Sequence, residues 1–252
     1  MNPCSTTSLL KTVAKRLVRF AFCKVPEGLM KFRMRAAMAT YLRGIPHEYL
    51  VNPGETAVLV GTHRIDTVML WSCLVGANGT VVVIEAVPDY VENIRRNLEH
   101  HLNWPYQNIV YVARGVDSVK GRKAIQIGER ADYNKLAKQF IDDGLSDDDY
   151  VREVEIEIDT IDNILSEYRI SKVDHLQVTI SGMEVEALKG MTETLKTEGI
   201  RMQIRSLHTK HDQPLYFQVV KLLQDAGLKT ILAKNEAAFV GRDVYGARVQ
   251  TS

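Results

Sequence analysis

Residues 56–85 read TAVLVGTHRIDTVMLWSCLVGANGTVVVIE, and this stretch decides the fold. Thr56–Val60 is a short apolar run with the length of a buried strand. Gly61-Thr62-His63-Arg64 follows as a turn, and Ile65–Val75 has the length and apolar face of a helix. Thr80–Glu85 is a second, β-branched strand with one carboxylate at its end. Strand, helix and strand in this order predict parallel pairing, with the helix crossing over one face of a sheet.

The alternation continues downstream. Pro88 to Leu102 predicts a helix, with Pro88 where its missing N–H costs nothing, Asp89 at the positive end of the dipole, and Val91, Ile94, Leu98 and Leu102 as its buried stripe. Asn108–Val112 reads as the next strand. Residues 121–150 are more polar; Asp142-Asp143-Gly144 and Asp147-Asp148-Asp149 read as surface turns of an insertion or flap. Val151–Ile158 alternates apolar residues with charges, as a strand with one wet face does. Further elements are expected at Ile161–Tyr168 (helix), His175–Ile180 (strand), Met183–Lys196 (helix), Ile200–Leu207 (strand) and Pro214–Ala226 (helix, stopped by Gly227). Lys229–Ala233, Ala237–Val240 and Ala247–Val249 predict a β-rich finish. A mostly parallel sheet with helices on both faces follows, and ligands in such sheets sit at the carboxyl ends of the strands.

Before Asn52-Pro53-Gly54 the pattern is different. Residues 1–50 hold nine Lys and Arg against two acids, net +7, which leaves −6 on the rest of a chain whose total is +1. Leu9, Leu10, Val13, Leu17 and Phe20 form an apolar stripe, while Lys11, Lys15 and Arg19 repeat on another face. Three readings of this basic helical segment stay open: a cap packed on the main domain, a helix on an anionic membrane surface, and a transit peptide, since no acid precedes Glu27. The domain division expected is 1–52 and 53–252.

Composition removes several classes. The 252 residues are 45% hydrophobic and 25% charged, ordinary for a globular chain with a sizeable core. No apolar run approaches the ~18 residues of a membrane-spanning helix. Cys4, Cys23 and Cys73 are too few and scattered for a disulfide framework and include no CxxC pair, so a reducing, cytoplasmic setting and a core thiol at Cys73 are expected. No metal site is expected, because His208 and His211 have no suitably spaced acidic partner. There is no GxSxG elbow, and no aromatic-basic motif accompanies the basic N-terminus, so hydrolase and nucleic-acid readings lack support.

Two places can carry chemistry. Gly61 and the turn after it offer a close backbone approach and free N–H groups at a helix start. GxGxxG and GxxxxGK[ST] are both absent, which removes the usual warrant for NAD or ATP. Glu85, 24 residues after Gly61, can accept hydrogen bonds from the ribose hydroxyls of NAD or of S-adenosylmethionine. Its plain alternative is a solvated strand-end acid.

Four stretches then resemble the FkbM-type S-adenosylmethionine-dependent methyltransferases, over roughly residues 53–232. Ala57 to His63 is similar to V-x-D-V-G-A-H/N. Ile84-Glu85-Ala86-Val87-Pro88, running on to Arg95-Arg96-Asn97-Leu98, resembles F-E-P-x-P followed by R-x-N-L. Thr160-Ile161-Asp162-Asn163-Ile164-Leu165 resembles T-L-D-D-L-L. Val173 to Glu184, continuing to Ala187-Leu188-Lys189-Gly190, resembles V-D-L-L-K-I-D-V-E-G-A-E…L-K-G, with register kept over eighteen positions.

The resemblance implies a doubly wound, seven-stranded methyltransferase-type sheet behind a basic helical extension. It implies S-adenosylmethionine as cofactor, with Gly61, Thr62 and His63 at its methionine part, Glu85 and Ala86 at its ribose, and Val116 and Asp117 beside its adenine. Sugars, glycolipids or small hydroxylated molecules would be the acceptors. Four acids of the pattern are replaced: they fall on Leu59, Thr179, Ser181 and Ser206. Thr179 therefore marks an altered catalytic position, and His208 is the candidate base for a hydroxyl proton; a structural or solvated His208 is its alternative. Asp66 could compensate, or be a solvent-facing first-turn acid. The competing function is a methyltransferase-like scaffold that has lost its catalytic acids, possible at a membrane through residues 1–50; a Rossmann oxidoreductase is weaker still.

Overall fold

The computed structural model describes residues 49–62, 64–101, 107–128, 135–136, 150–210, 212–234 and 242–248. The basic segment 1–48, His63, His211, the acidic turns at 142–149 and the strand expected at Ala237–Val240 lie outside the described residues.

The opening stretch folds as its pattern dictates. β1 (Thr56–Val60), α1 (Ile65–Val75) and β2 (Thr80–Glu85) form a crossover unit, with β1 and β2 parallel and Val58 opposite Val82. α2 (Pro88–Arg96), continued by a π turn over Asn97–His101, leads to β3 (Ile109–Ala113), which adds parallel to β2. On the other side β8 (His175–Val178) pairs parallel with β1, and β9 (Arg201–Ser206) parallel with β8. β13 (Arg242–Ala247) runs antiparallel between β9 and the edge strand β12 (Lys229–Lys234). The seven-stranded order is β12-β13-β9-β8-β1-β2-β3. Strand order reverses at β1, with β2 and β3 added on one side and β8 and β9 on the other, while all five run parallel, so their carboxyl ends share one edge.

Both faces are covered. Alternation along β1 and β2 sends Val58, Val60, Val82 and Ile84 to one layer, where they pack with α3 (Ile161–Glu167), α4 (Glu184–Lys189) and α5 (Tyr216–Asp225). Ala57, Leu59, Val81 and Val83 face the other layer, against α1, Ile94 of α2 and Leu98 of the π turn. Each such buried Val or Leu contributes roughly 1.5–3 kcal/mol, so this double layer is the main source of stability. Cys73 is buried in the second layer as expected, but it is disulfide-bonded and not the free core thiol expected.

Three expectations are corrected. Residues 121–150 are more than a polar flap: β5 (Gly121–Gly128) pairs antiparallel with β7 (Tyr150–Asp159), and with β4 (Gly115–Val116) and β6 (Lys135–Leu136) they make a second, four-stranded sheet. Its inner face rests on few apolar side chains, Ile125, Ile127, Ile156 and Ile158, which pack against Val87; that is too thin a pattern to stand out among charges. The helix expected over Met183–Lys196 is broken into α4 and a 3₁₀ turn at Thr194–Lys196. The break is at Gly190, where a Cβ would stand 2.3 Å from the carbonyl oxygen of Asp117. The last strand is Arg242–Ala247, overlapping the expected Ala247–Val249 only at Ala247; its Val244 and Tyr245 are both buried, so a strand covered on two faces hides in a polar-looking run.

Candidate functional site

The shared carboxyl edge is laced by backbone hydrogen bonds. Thr179 donates its N–H to the Val60 carbonyl (2.9 Å), Gly61 to that of Ile84 (2.8 Å) and Arg114 to that of Glu85 (3.0 Å). Thr179, Gly61, Glu85 and the turn after β3 thus form one continuous rim. The sequence places these residues far apart; parallel pairing brings them together. Gly61 has φ +76°, and its missing side chain admits Thr179 and Ile180 rather than only a ligand. Thr62 beside it is half-buried, and its hydroxyl accepts from the Arg64 N–H at 3.3 Å.

Glu85 closes β2 and is buried, not solvated. Its Oε1 accepts the Val87 N–H at 3.0 Å. Burial pushes its carboxyl up to about 7, against which the backbone donors Val87 and Ala86 act, and no basic side chain is among the groups that do. A carboxylate in such a place gains from further hydroxyl donors. Ala86, half-buried, packs with Tyr90 against the second sheet.

Val116 and Asp117 follow β3 as expected. Val116 lies in the core layer beside α3 and α4. Asp117 is buried, with its carboxylate already engaged: Lys123 donates to Oδ2 at 2.5 Å, and the Ser118 N–H to Oδ1 at 2.7 Å. Its own N–H donates to the Asp159 carbonyl (2.9 Å). Asp117 therefore fixes the wall between the two sheets.

Asp66 is not the solvent-facing acid that a first-turn position suggests. It is buried, and the exposed Arg64 closes over it with a forked pair, Nε to Oδ1 at 3.3 Å and Nη2 to Oδ2 at 2.8 Å. Leu59, on the position of the pattern's first acid, is part of the core between sheet and α1. Thr179 and Ser181 are half-buried in the loop after β8, while Ser206, the last residue of β9, is fully buried. His208, half-buried two residues on, accepts the Leu215 N–H at its carbonyl (3.0 Å), which ties its loop to the start of α5.

One acid escaped the sequence reading of the site. Glu184 is fully buried at the first turn of α4, directly behind the Thr179–Ser181 loop. Its Oε1 accepts the Gly182 N–H at 3.2 Å, and its Oε2 has no hydrogen-bond partner among the described residues. Burial pushes this carboxyl up to about 8. The signal was present: Glu184 lies within the most specific of the four stretches and is an acid retained where its neighbours are not. Among the described residues, no three of His, Cys, Asp and Glu gather in a metal-holding cluster.

The comparisons with known proteins agree with this architecture. The family model described as Methyltransferase FkbM domain matches residues 60–229, more than half of the chain. Among solved structures, the FkbM methyltransferase from Methylobacillus flagellatus KT superposes with a TM-score of 0.53 at 11% identity, covering 95% of this chain and 60% of that one. Aeropyrum pernix fibrillarin in complex with natively bound S-adenosyl-L-methionine gives a TM-score of 0.50 at 14% identity, covering 85% of this chain and 75% of that one. At these identities the likeness to the solved structures is one of fold. No curated protein matches. The order of the seven strands, the rim at their carboxyl ends and the match over residues 60–229 lead to one conclusion: the chain belongs to the FkbM methyltransferase family, with the Rossmann-like fold of S-adenosylmethionine-dependent methyltransferases.

Proposed function

We propose that this chain transfers a methyl group from S-adenosylmethionine to a hydroxyl oxygen of a glycan or other small acceptor. The observation that carries the reading is Glu85: a buried carboxyl at the rim, held by backbone donors alone and pushed up to about 7 by burial. The cofactor, when bound, supplies an electrophilic methyl group on a sulfonium. The residues present fit it. Glu85 would accept the ribose hydroxyls, and ionise as it does so. The rim at Gly61 and Thr62 would hold the methionine part. Ala86 and Val116 offer apolar surface beside the ribose and adenine, with Asp117 fixing that wall through Lys123 and Ser118.

On the acceptor side the chain offers neutral groups where the family pattern has acids. Thr179 and Ser181 present hydroxyls from a half-buried loop. His208 is the candidate proton acceptor, since an imidazole titrates near neutral pH. Positioning would supply most of the rate, because holding two reactants in line removes an entropic cost.

Calorimetric titration with S-adenosylmethionine and S-adenosylhomocysteine tests the reading. Micromolar binding, lost in Glu85→Ala, supports it; no binding at millimolar ligand overturns it. The burial of Leu59 in the core favours a second reading, a methyltransferase-like binding protein, which that negative result would select.

A further inference from the structure

Two buried side-chain atoms at the carboxyl edge, Glu184 Oε2 and Ser206 Oγ, have no hydrogen-bond partner among the described residues. Leaving a buried polar atom orphaned is costly, so two in one region call for an occupant. The topology brings them to the same layer. Met202 and Ile204 of β9 point into the core shared with α4, and Ser206 continues that alternation. Glu184 opens α4, whose Val185, Ala187 and Leu188 pack in the same core. The last registered pair of the adjacent strands is Val178–Ile204; two residues on are Ile180, in the loop over Glu184, and Ser206. That loop, Thr179–Ser181, is half-exposed while Gly182–Val185 beneath it is buried, so the pair lies one layer below an accessible surface.

We propose that Glu184 and Ser206 form the polar floor that receives the hydroxyl group of the methyl acceptor. The inference rests on the methyltransferase reading above and deepens it. Its chemistry selects a class of acceptor. A carboxylic acid and an alcohol each donate and accept, which matches a neutral hydroxyl. The groups that act on Glu184 are backbone ones, Gly182 and its own amide, with no basic side chain among them. A carboxylate or phosphate would meet no basic side chain among the groups that act on Glu184. Neutral polyols and sugars fit; acidic acceptors do not. Thr179 and His208 lie on either side of the floor in sequence and edge position, so the two proposals describe one acceptor site.

Crystals of the S-adenosylhomocysteine complex soaked in glycerol, a small neutral polyol, test this directly, with Glu184→Gln and Ser206→Ala beside the wild type. The result expected is a glycerol oxygen within hydrogen-bond distance of both atoms in the wild type and none there in either variant. S-adenosylhomocysteine affinity stays within about twofold throughout. Glu184→Gln keeps an oxygen for the Gly182 N–H, so its melting temperature stays level or rises. No glycerol at the pair in the wild type overturns the inference. So does glycerol that persists in both variants, which would be an adventitious additive only. If Glu184→Gln melts well below the wild type, Ser206→Ala decides: lost glycerol supports the floor and retained glycerol overturns it. Failure to bind S-adenosylhomocysteine would instead sink the methyltransferase reading, and soaks of the ligand-free crystals would still decide about the floor.

Discussion

A Cβ placed on Gly61 would stand 2.2 Å from the carbonyl oxygen of Thr179. The first turn after β1 and the loop after β8 therefore touch backbone to backbone. They are the two segments on which the family pattern places its glycine and one of its acids. Gly61 also holds φ at +76°, in the left-handed region that L side chains avoid. Gly61→Ala meets both penalties, strain and overpacking against backbone, and should cost on the order of 3 kcal/mol. Urea unfolding measures it. A loss below about 0.5 kcal/mol would mean that the two loops separate easily, and the rim would not be a rigid unit.

Glu85→Gln tests cofactor recognition without changing shape. The amide keeps one acceptor and loses the charge. Affinity for S-adenosylhomocysteine should fall at least tenfold, about 1.4 kcal/mol. In the wild type the same carboxyl makes binding pH-dependent. Burial raises it to about 7 in the free protein, and hydroxyl donors favour its ionised form. Affinity should therefore rise from pH 6 to pH 8, with proton release detectable as a buffer-dependent enthalpy. A flat profile would remove Glu85 from the ribose role.

Glu184 should appear in the stability of the ligand-free protein. A carboxyl raised to about 8 from its ordinary 4.5 binds its proton more tightly in the folded state. The stability it contributes is full below about pH 4.5 and is lost as pH rises through about 8. Glu85 acts in the same direction over a window ending near 7. At about 1.4 kcal/mol per unit, the wild type should lose on the order of 3 kcal/mol more between pH 5 and pH 8 than Glu184→Gln does. Parallel curves for the two proteins would place the Glu184 carboxyl in a wetter environment.

The resembling stretches were legible as sequence, but their work was not. Val58, Val60, Val82 and Ile84 gave the sheet because strand periodicity writes burial directly into residue order. Glu85 could be located because a strand end is a fixed place in such sheets. Asp66 could not be read as buried, since its burial depends on Arg64 folding back over it. Glu184 could not be read as an orphan, because that requires knowing what the loop over it leaves out. β5 escaped because its inner face has only two buried isoleucines, Ile125 and Ile127, among charges that pair across to β7. Local pattern thus reports faces, while partners come from topology.

Asp162 separates architecture from chemistry within the resemblance. Its carboxylate accepts from the Glu193 N–H (2.8 Å), the Thr194 N–H (2.9 Å) and the Thr194 hydroxyl (2.6 Å), bracing the turn after α4. Thr160 meanwhile caps α3 by accepting the Asn163 N–H at 3.1 Å. The stretch Thr160–Leu165 is thus scaffold. Asp162→Ala should cost about 1–3 kcal/mol and leave S-adenosylhomocysteine affinity within twofold. A selective loss of binding, with thermal stability unchanged, would instead draw this turn into the site.

Restoring the missing acids should expose how differently the replaced positions are built. Leu59 lies in the core against α1, so Leu59→Asp would bury an unpaired carboxylate and remove apolar contact at once. It should cost more than about 3 kcal/mol and leave little folded protein. Thr179 and Ser181 sit in a half-buried loop, where a carboxylate keeps part of its hydration. Thr179→Asp should fold with a melting temperature within a few degrees of the wild type. Its negative charge would face the sulfonium of the proposed cofactor, so S-adenosylmethionine should gain affinity while the uncharged thioether of S-adenosylhomocysteine gains none. That difference is the informative quantity, because both ligands share every other contact. Equal gains would mean that the substitution only reshapes the loop. A gain confined to the sulfonium would place Thr179 beside the reacting methyl group, and would identify charge as what this chain gave up there.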